Sequence, residues 1–179
     1  MSGPGGDVRH TRWRWSLMNW GTIRLIDDRA RPDFSPPPAD PRHAMIPAFD
    51  RIDHIHLYAT HRNSAEQWYA DVMGFKRVPE LESWADGGPL TLSNSSGTVH
   101  IALFEAPAQP CRSVIALSVG AEEFVAWRQH LVDKLKRPVE PEDHQLSWSL
   151  YFADPDGNPW EITTYQHAVV ATLLRPVGM

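Results

Sequence analysis

The sequence predicts an α+β fold: two βαβββ units forming a curved, cup-shaped mixed sheet, with the helices packed outside. Three observations carry this expectation. Alternating apolar and polar residues mark one strand near residue 55 and another near residue 115. A stretch with apolar residues at helical spacing follows each of them. Short strand candidates divided by turn residues then complete each half. Each half is only about 55–60 residues long, too short to bury a core alone, so the halves are expected to share one.

The elements follow in order. Residues 1–48 are rich in Pro, Arg and Trp and read as an extension, with "SPPPADP" as extended polyproline-like chain. Trp13, Trp15 and Trp20 are candidates to dock on the domain or on a partner, the alternative being a loosely held extension, and Met45 is a candidate for a shorter natural start. Residues 49–167 read as one domain, with units at about 50–106 and 111–166, and residues 168–179 read as a tail. In "IDHIHLYAT", Ile55 and Leu57 share one face, and His54, His56 and Tyr58 share the other. Asn63 or Ser64 is positioned to cap a helix with Ala65, Trp68, Tyr69 and Val72 on one side, and Gly74 ends it. Strands are expected around 75–78, 89–93 and 98–104, divided by "DGG" and "SNSSG".

The second unit repeats this order. Ile115, Leu117 and Val119 alternate, and Phe124, Trp127, Leu131 and Leu135 then stripe a helix. "SWSLYFA" and "WEITTY" close as a hairpin around "DPDGN". In that turn Pro155 presets φ, Asp154 and Asp156 can bond nearby amides, and Gly157 can take positive φ. A calcium loop is excluded, because the chain returns to a strand after Pro159, before a twelfth-position ligand. The turn instead sets the register of Glu161, which a one-residue slip would flip to the other face.

Bulk properties narrow the function. A chain of 179 residues with net charge -5 and pI near 6.0 gives no reason to expect nucleic acid. No apolar run approaches the roughly 20 residues that span a bilayer. The N-terminus lacks the pattern of a signal peptide, so a cytoplasmic protein is expected. Cys111 is the single cysteine, which excludes a disulfide framework, and no base lies near it in sequence.

Glu161 carries the strongest chemical signal. It lies between Trp160 and Ile162 in a strand that otherwise reads as core, so it needs a cation, hydrogen-bond donors or water. His54 lies on the corresponding face of its own strand. Imidazole and carboxylate together suit Fe(II), Mn(II), Ni(II) or Zn(II). The plainer alternatives are that Glu161 pairs with an arginine and that His54 bonds to Asp53 or a carbonyl. Tyr58, Phe104, Trp84 and Trp148 are candidates for an aromatic pocket wall. His10, His43, His61, His130, His144 and His167 default to the surface.

The stretches "DHIHLYATHRNSAEQWYADVMGF", "VIALSVGAEEFVAW" and "LYFADPDGNPWEITTY" resemble the vicinal oxygen chelate superfamily. That group includes glyoxalase I, fosfomycin-resistance transferases, extradiol dioxygenases and bleomycin-resistance proteins. The resemblance implies paired βαβββ modules and, in the metal-dependent members, a divalent ion in the cup. It puts ligands at His54 and Glu161, with two further ligand positions falling on Ala102 and Val114, which have no donor atom. A third ligand would come from His56, two residues along from His54, or from His100, two residues from Ala102. The resemblance implies an enzyme of glyoxalase or dioxygenase type, in which the ion chelates adjacent oxygens of a small substrate and Glu161 moves a proton. The alternative is a metal-free binding protein, like the bleomycin-resistance branch, or an assembly partner working through its Trp-rich arm. Many relatives pair their modules across chains, so a homodimer is expected.

Overall fold

The computed structural model describes residues 51–109 and 112–175. The expectations for residues 1–48, Met45 and Cys111 fall outside the described residues. The first unit runs β1 (Ile55–Ala59), α1 (Arg62–Met73), β2 (Lys76–Arg77), β3 (Leu90–Ser93) and β4 (His100–Glu105). The second runs β5 (Ile115–Ser118), α2 (Ala121–Leu135), β6 (Glu142–Asp143), β7 (Trp148–Ala153) and β8 (Pro159–Thr164), followed by α3 (His167–Leu173). The strand orders are β1-β4-β3-β2 and β5-β8-β7-β6, each with one parallel pair. The α+β, twofold-repeated mixed-sheet architecture is therefore the one expected.

Both long helices begin in the same way. The sequence points to Asn63 or Ser64 as the cap of α1, but His61 occupies that position and makes no side-chain cap bond. The first amide of α1, at Arg62, instead donates to Glu105 Oε2 at the end of β4 (3.0 Å). In the second unit the first amide of α2, at Ala121, donates to Gln166 Oε1 just beyond β8 (2.6 Å). Each helix start is thus satisfied by the far end of its own module, a tertiary substitute for a local cap. Gly74 ends α1 at φ 69, where its amide and that of Phe75 return to Ala70 and Tyr69 carbonyls.

The core sits between the units on their helix-facing sides. Ala65, Tyr69 and Val72 of α1 are buried, as are Phe124 and Leu131 of α2. Trp160 of β8 meets Tyr69 and Phe75 of the first unit edge-on, with ring centroids 6.0 and 6.4 Å apart. Its indole N–H is buried and makes no well-aligned hydrogen bond among the described residues. Trp160→Phe is therefore expected to lose packing volume but no hydrogen bond, costing about 1–2 kcal/mol in denaturant unfolding. A loss near that of a full truncation would show that the N–H has a partner after all.

Three local features differ from the sequence reading. A 3-10 helix at Pro79–Ala85 fills a stretch without pattern. The segment read as a tail forms α3, with Val170 buried. His130 and His167 are not plain surface residues: His130 bonds the Val72 carbonyl (2.8 Å), and His167 stacks on Trp148 and bonds Asp143 (2.7 Å).

Candidate metal and substrate site

Strand alternation gives each sheet one face packed under the helices and one open face. Register aligns the open face of the first sheet, since His56 pairs with Ala102 and Tyr58 with Phe104 across β1 and β4. In the second sheet Ala116, Glu161 and Tyr151 lie in one row across β5, β8 and β7. His54, His56, His100, Tyr58, Phe104 and Glu161 all occupy these open faces, the side the sequence assigned them.

The histidines of the first sheet form a cluster. His54 Nδ1 lies 2.7 Å from Asp53 Oδ2, so with that acceptor the proton sits on Nδ1. That hydrogen bond is the main cause holding the Asp53 carboxyl below its usual range, and the charges of His54, Arg51 and His100 add to it. His54 Nε2 lies 2.9 Å from His56 Nε2, and the two rings stack with centroids 4.9 Å apart. Phe104 packs against His56 (4.9 Å) and Tyr58 (5.8 Å), forming one aromatic wall. Phe104 also lines a hollow of about 280 Å³ with Arg62, Ala85, Gly87, Gly88 and Glu105. Trp84 and Trp148 do not join that wall. Trp84 is 60% exposed on the 3-10 helix, and Trp148 alternates with Tyr151 onto the helix side.

Glu161 is half-buried, and its Oε1 accepts a 2.6 Å hydrogen bond from Ser149, whose Oγ also lies 3.2 Å from Thr163 Oγ1. Tyr151 stands beside it in the register, and its phenol is raised above the usual value by burial and then by the Glu161 charge. His144 Nε2 reaches the Tyr151 hydroxyl (3.2 Å). Among the described residues, the group that meets the Glu161 carboxylate is the Ser149 hydroxyl, and no arginine pairs with it. The sequence does not single out Ser149 or Tyr151, and His144, read as a surface residue, is exposed. Counting outward from the "DPDGN" turn would have placed Tyr151 opposite Glu161, because 153↔159 and 151↔161 follow once the loop length is known.

Ala102 and Val114 present no ligand atom, and among the described residues no three His, Cys, Asp or Glu side chains converge on one point. Two imidazole nitrogens do converge, at His54 and His56, and the donor chemistry at that pair fits a borderline divalent ion. No helix among the described residues is long and apolar enough to cross a membrane.

The sequence profile of the Glyoxalase/Bleomycin resistance protein/Dioxygenase superfamily matches residues 51–162. No curated protein matches the sequence. Similar solved structures include a putative glyoxalase family protein from Bacillus anthracis, at 21% identity and TM-score 0.55, covering 68% of this chain and 99% of that one. A lactoylglutathione lyase from Agrobacterium tumefaciens matches at 22% identity and TM-score 0.50, over 65% of this chain and 95% of that one. The fosfomycin resistance protein FosX from Listeria monocytogenes, complexed with Mn(II) and sulfate, matches at 14% identity and TM-score 0.51. That match covers 72% of this chain and all of the other. At these identities the likeness speaks for the fold.

Proposed function

The chain belongs to the Glyoxalase/Bleomycin resistance protein/Dioxygenase superfamily, and from that premise we propose that it is a metal-dependent enzyme of glyoxalase or dioxygenase type. Its substrate would be a small molecule presenting adjacent oxygens, and its setting the cytoplasm. The observation that carries this reading is the pairing of each candidate ligand with a group that orients it. Asp53 holds His54 Nδ1, leaving Nε2 as the donor, and Ser149 holds Glu161 Oε1. The Ser149–Glu161 pair is half-buried, whereas the Asp53–His54 pair is exposed, as the plainer alternative for His54 expects.

His54 and Glu161 would hold a divalent ion of the Fe(II), Mn(II), Ni(II) or Zn(II) class, with a third ligand from His56 or His100. Such an ion supplies charge stabilisation to oxygens that become anionic during reaction. The chain's own residues would do the rest. Glu161 is the candidate to accept and return a proton, with the Tyr151 phenol beside it in the register to hydrogen-bond a substrate oxygen. Tyr58 and Phe104 would pack against the apolar part of the substrate and exclude water. A homodimer belongs to the same reading, since Val114, just before the edge strand β5, leaves apolar surface 40% exposed.

Purified protein is expected to carry near-stoichiometric divalent metal by elemental analysis, and His54→Ala to lose it. A second reading, a metal-free protein that sequesters a planar ligand, is favoured by the donorless Ala102 and Val114. Protein that takes up none of Fe(II), Mn(II), Ni(II) or Zn(II) after reconstitution would put that second reading first.

A further inference from the structure

We propose that Arg62 anchors a ligand carboxylate in the hollow beside Phe104, so that the small molecule this chain takes is a planar acid. This rests on the reading above only in that the open face of the first sheet receives a small molecule, and it needs no metal ion. The hollow, about 280 Å³, is slightly smaller than a usual ligand site of about 300–1,000 Å³, so it takes one end of a molecule. Phe104 lines it and continues through Tyr58 (5.8 Å between ring centroids) along the open face, a flat wall for the rest of that molecule.

Arg62, half-buried at the start of α1, is held in two places. Its amide donates to Glu105 Oε2 (3.0 Å), and its Nη1 donates to the Gly88 carbonyl (2.8 Å). Gly88 packs so close to the Trp84 carbonyl that an added Cβ would lie 2.5 Å from it, so this wall carries no side chain. Among the described residues the guanidinium makes no further hydrogen bond and has no carboxylate partner. Its charge reaches Glu66, but both oxygens of that carboxylate are gripped by Arg77 Nε and Nη2. Arg62 keeps the same two donors, the side-on fork that pairs with a carboxylate. Glu105 also lines the hollow, and its charge disfavours a dianion such as a phosphate ester more than a carboxylate. The plain alternative is that Arg62 only braces Gly88 and meets no ligand.

The test is an NMR titration of the full-length protein with benzoate, benzamide and phenyl phosphate, following the backbone amides of Gly87, Gly88 and Phe104. Benzoate is expected to shift these amides and to bind about tenfold or more tightly than either of the other two, as a charge-assisted pair should. Arg62→Gln is expected to weaken benzoate by about the same factor and to leave benzamide within about threefold. Arg62→Lys, which keeps the charge but not the fork, is expected to fall between them. A circular dichroism melt separates lost binding from lost fold, and the comparison of acid with amide in the wild type needs no variant. Equal binding of benzoate and benzamide, or no shift at these amides, would leave Arg62 a brace and overturn the proposal. Phenyl phosphate binding as tightly as benzoate would overturn the class named. Benzoate that shifts only amides elsewhere on the open faces, or whose preference survives Arg62→Gln, would overturn the anchor while the small-molecule reading stands. The enzyme reading is judged by metal content, so its failure leaves this result untouched.

Discussion

Asp154→Ala is expected to destabilise the protein by about 3–5 kcal/mol, more than any single substitution on the open faces. Asp154 is 5% exposed and accepts four hydrogen bonds. Its Oδ2 takes the Tyr69 hydroxyl (2.6 Å) and Asn158 Nδ2 (2.8 Å), and its Oδ1 takes the amides of Asn158 (2.8 Å) and Asp156 (3.0 Å). Tyr69 and Asn158 are themselves almost fully buried, so alanine leaves donors without water to replace the lost acceptor. Release of a buried carboxylate offsets part of that loss, which is why the sum stays below four independent bonds. The substitution also removes a tie between the units, because Tyr69 belongs to α1 and Asp154 to the β7–β8 turn, while Asn158 also reaches the Tyr58 carbonyl (3.3 Å).

Urea unfolding of the variant measures the cost, and a loss under about 1 kcal/mol would show that the network is incidental. Tyr69→Phe removes one bond and is expected to cost about 1–2 kcal/mol, with strong coupling to Asp154→Ala in a double-mutant cycle. The pH dependence has a definite sign. Burial pushes the Tyr69 phenol far up, with the charge of Asp154 adding to it, so it stays neutral in the folded chain. An unfolded tyrosine ionises near 10, so this contribution to stability is complete below that pH and declines as pH rises past it. Tyr69→Phe is expected to reduce that alkaline decline. An unchanged profile would assign it to other groups.

Glu161→Gln is the substitution expected to hit function hardest. The amide keeps the size of the side chain and can still meet the Ser149 hydroxyl, so folding should be spared on this open face. It removes the negative charge that a divalent ion and a proton transfer both require. Metal affinity is expected to fall at least 100-fold, and any isomerase or dioxygenase turnover to fall to background. Ser149→Ala, which leaves the carboxylate but frees its direction, is expected to cost about tenfold in affinity. A Glu161→Gln protein that melts like wild type and binds the ion equally well would remove Glu161 from the metal and leave it, at most, a substrate contact.

Local periodicity carried much of this protein's architecture into the sequence. The alternation of Ile55 and Leu57 against His54 and His56 needs only neighbours two residues away, and so does the placing of Glu161 opposite Trp160 and Ile162. The helical stripe of Ala65, Tyr69 and Val72, the stop at Gly74 and the positive φ of Gly157 (87°) likewise depend on a few adjacent residues. Such features are legible because backbone sterics act at short range.

What only the tertiary structure decided are partnerships between distant residues. Asp154 reads in sequence as a turn residue, yet its Tyr69 partner lies 85 residues away. His130 reads as surface, yet it bonds a carbonyl 58 residues away. The caps from Glu105 and Gln166, the Ser149 hydroxyl on Glu161 and the convergence of His54 with His56 share that character. Alternation assigns a side chain to a face, but a bond's length and partner depend on how sheets and helices close over one another. The carboxylate of Glu161 was thus visible from its place in the strand, while the hydroxyl that aims it became visible only once β7 and β8 were in register.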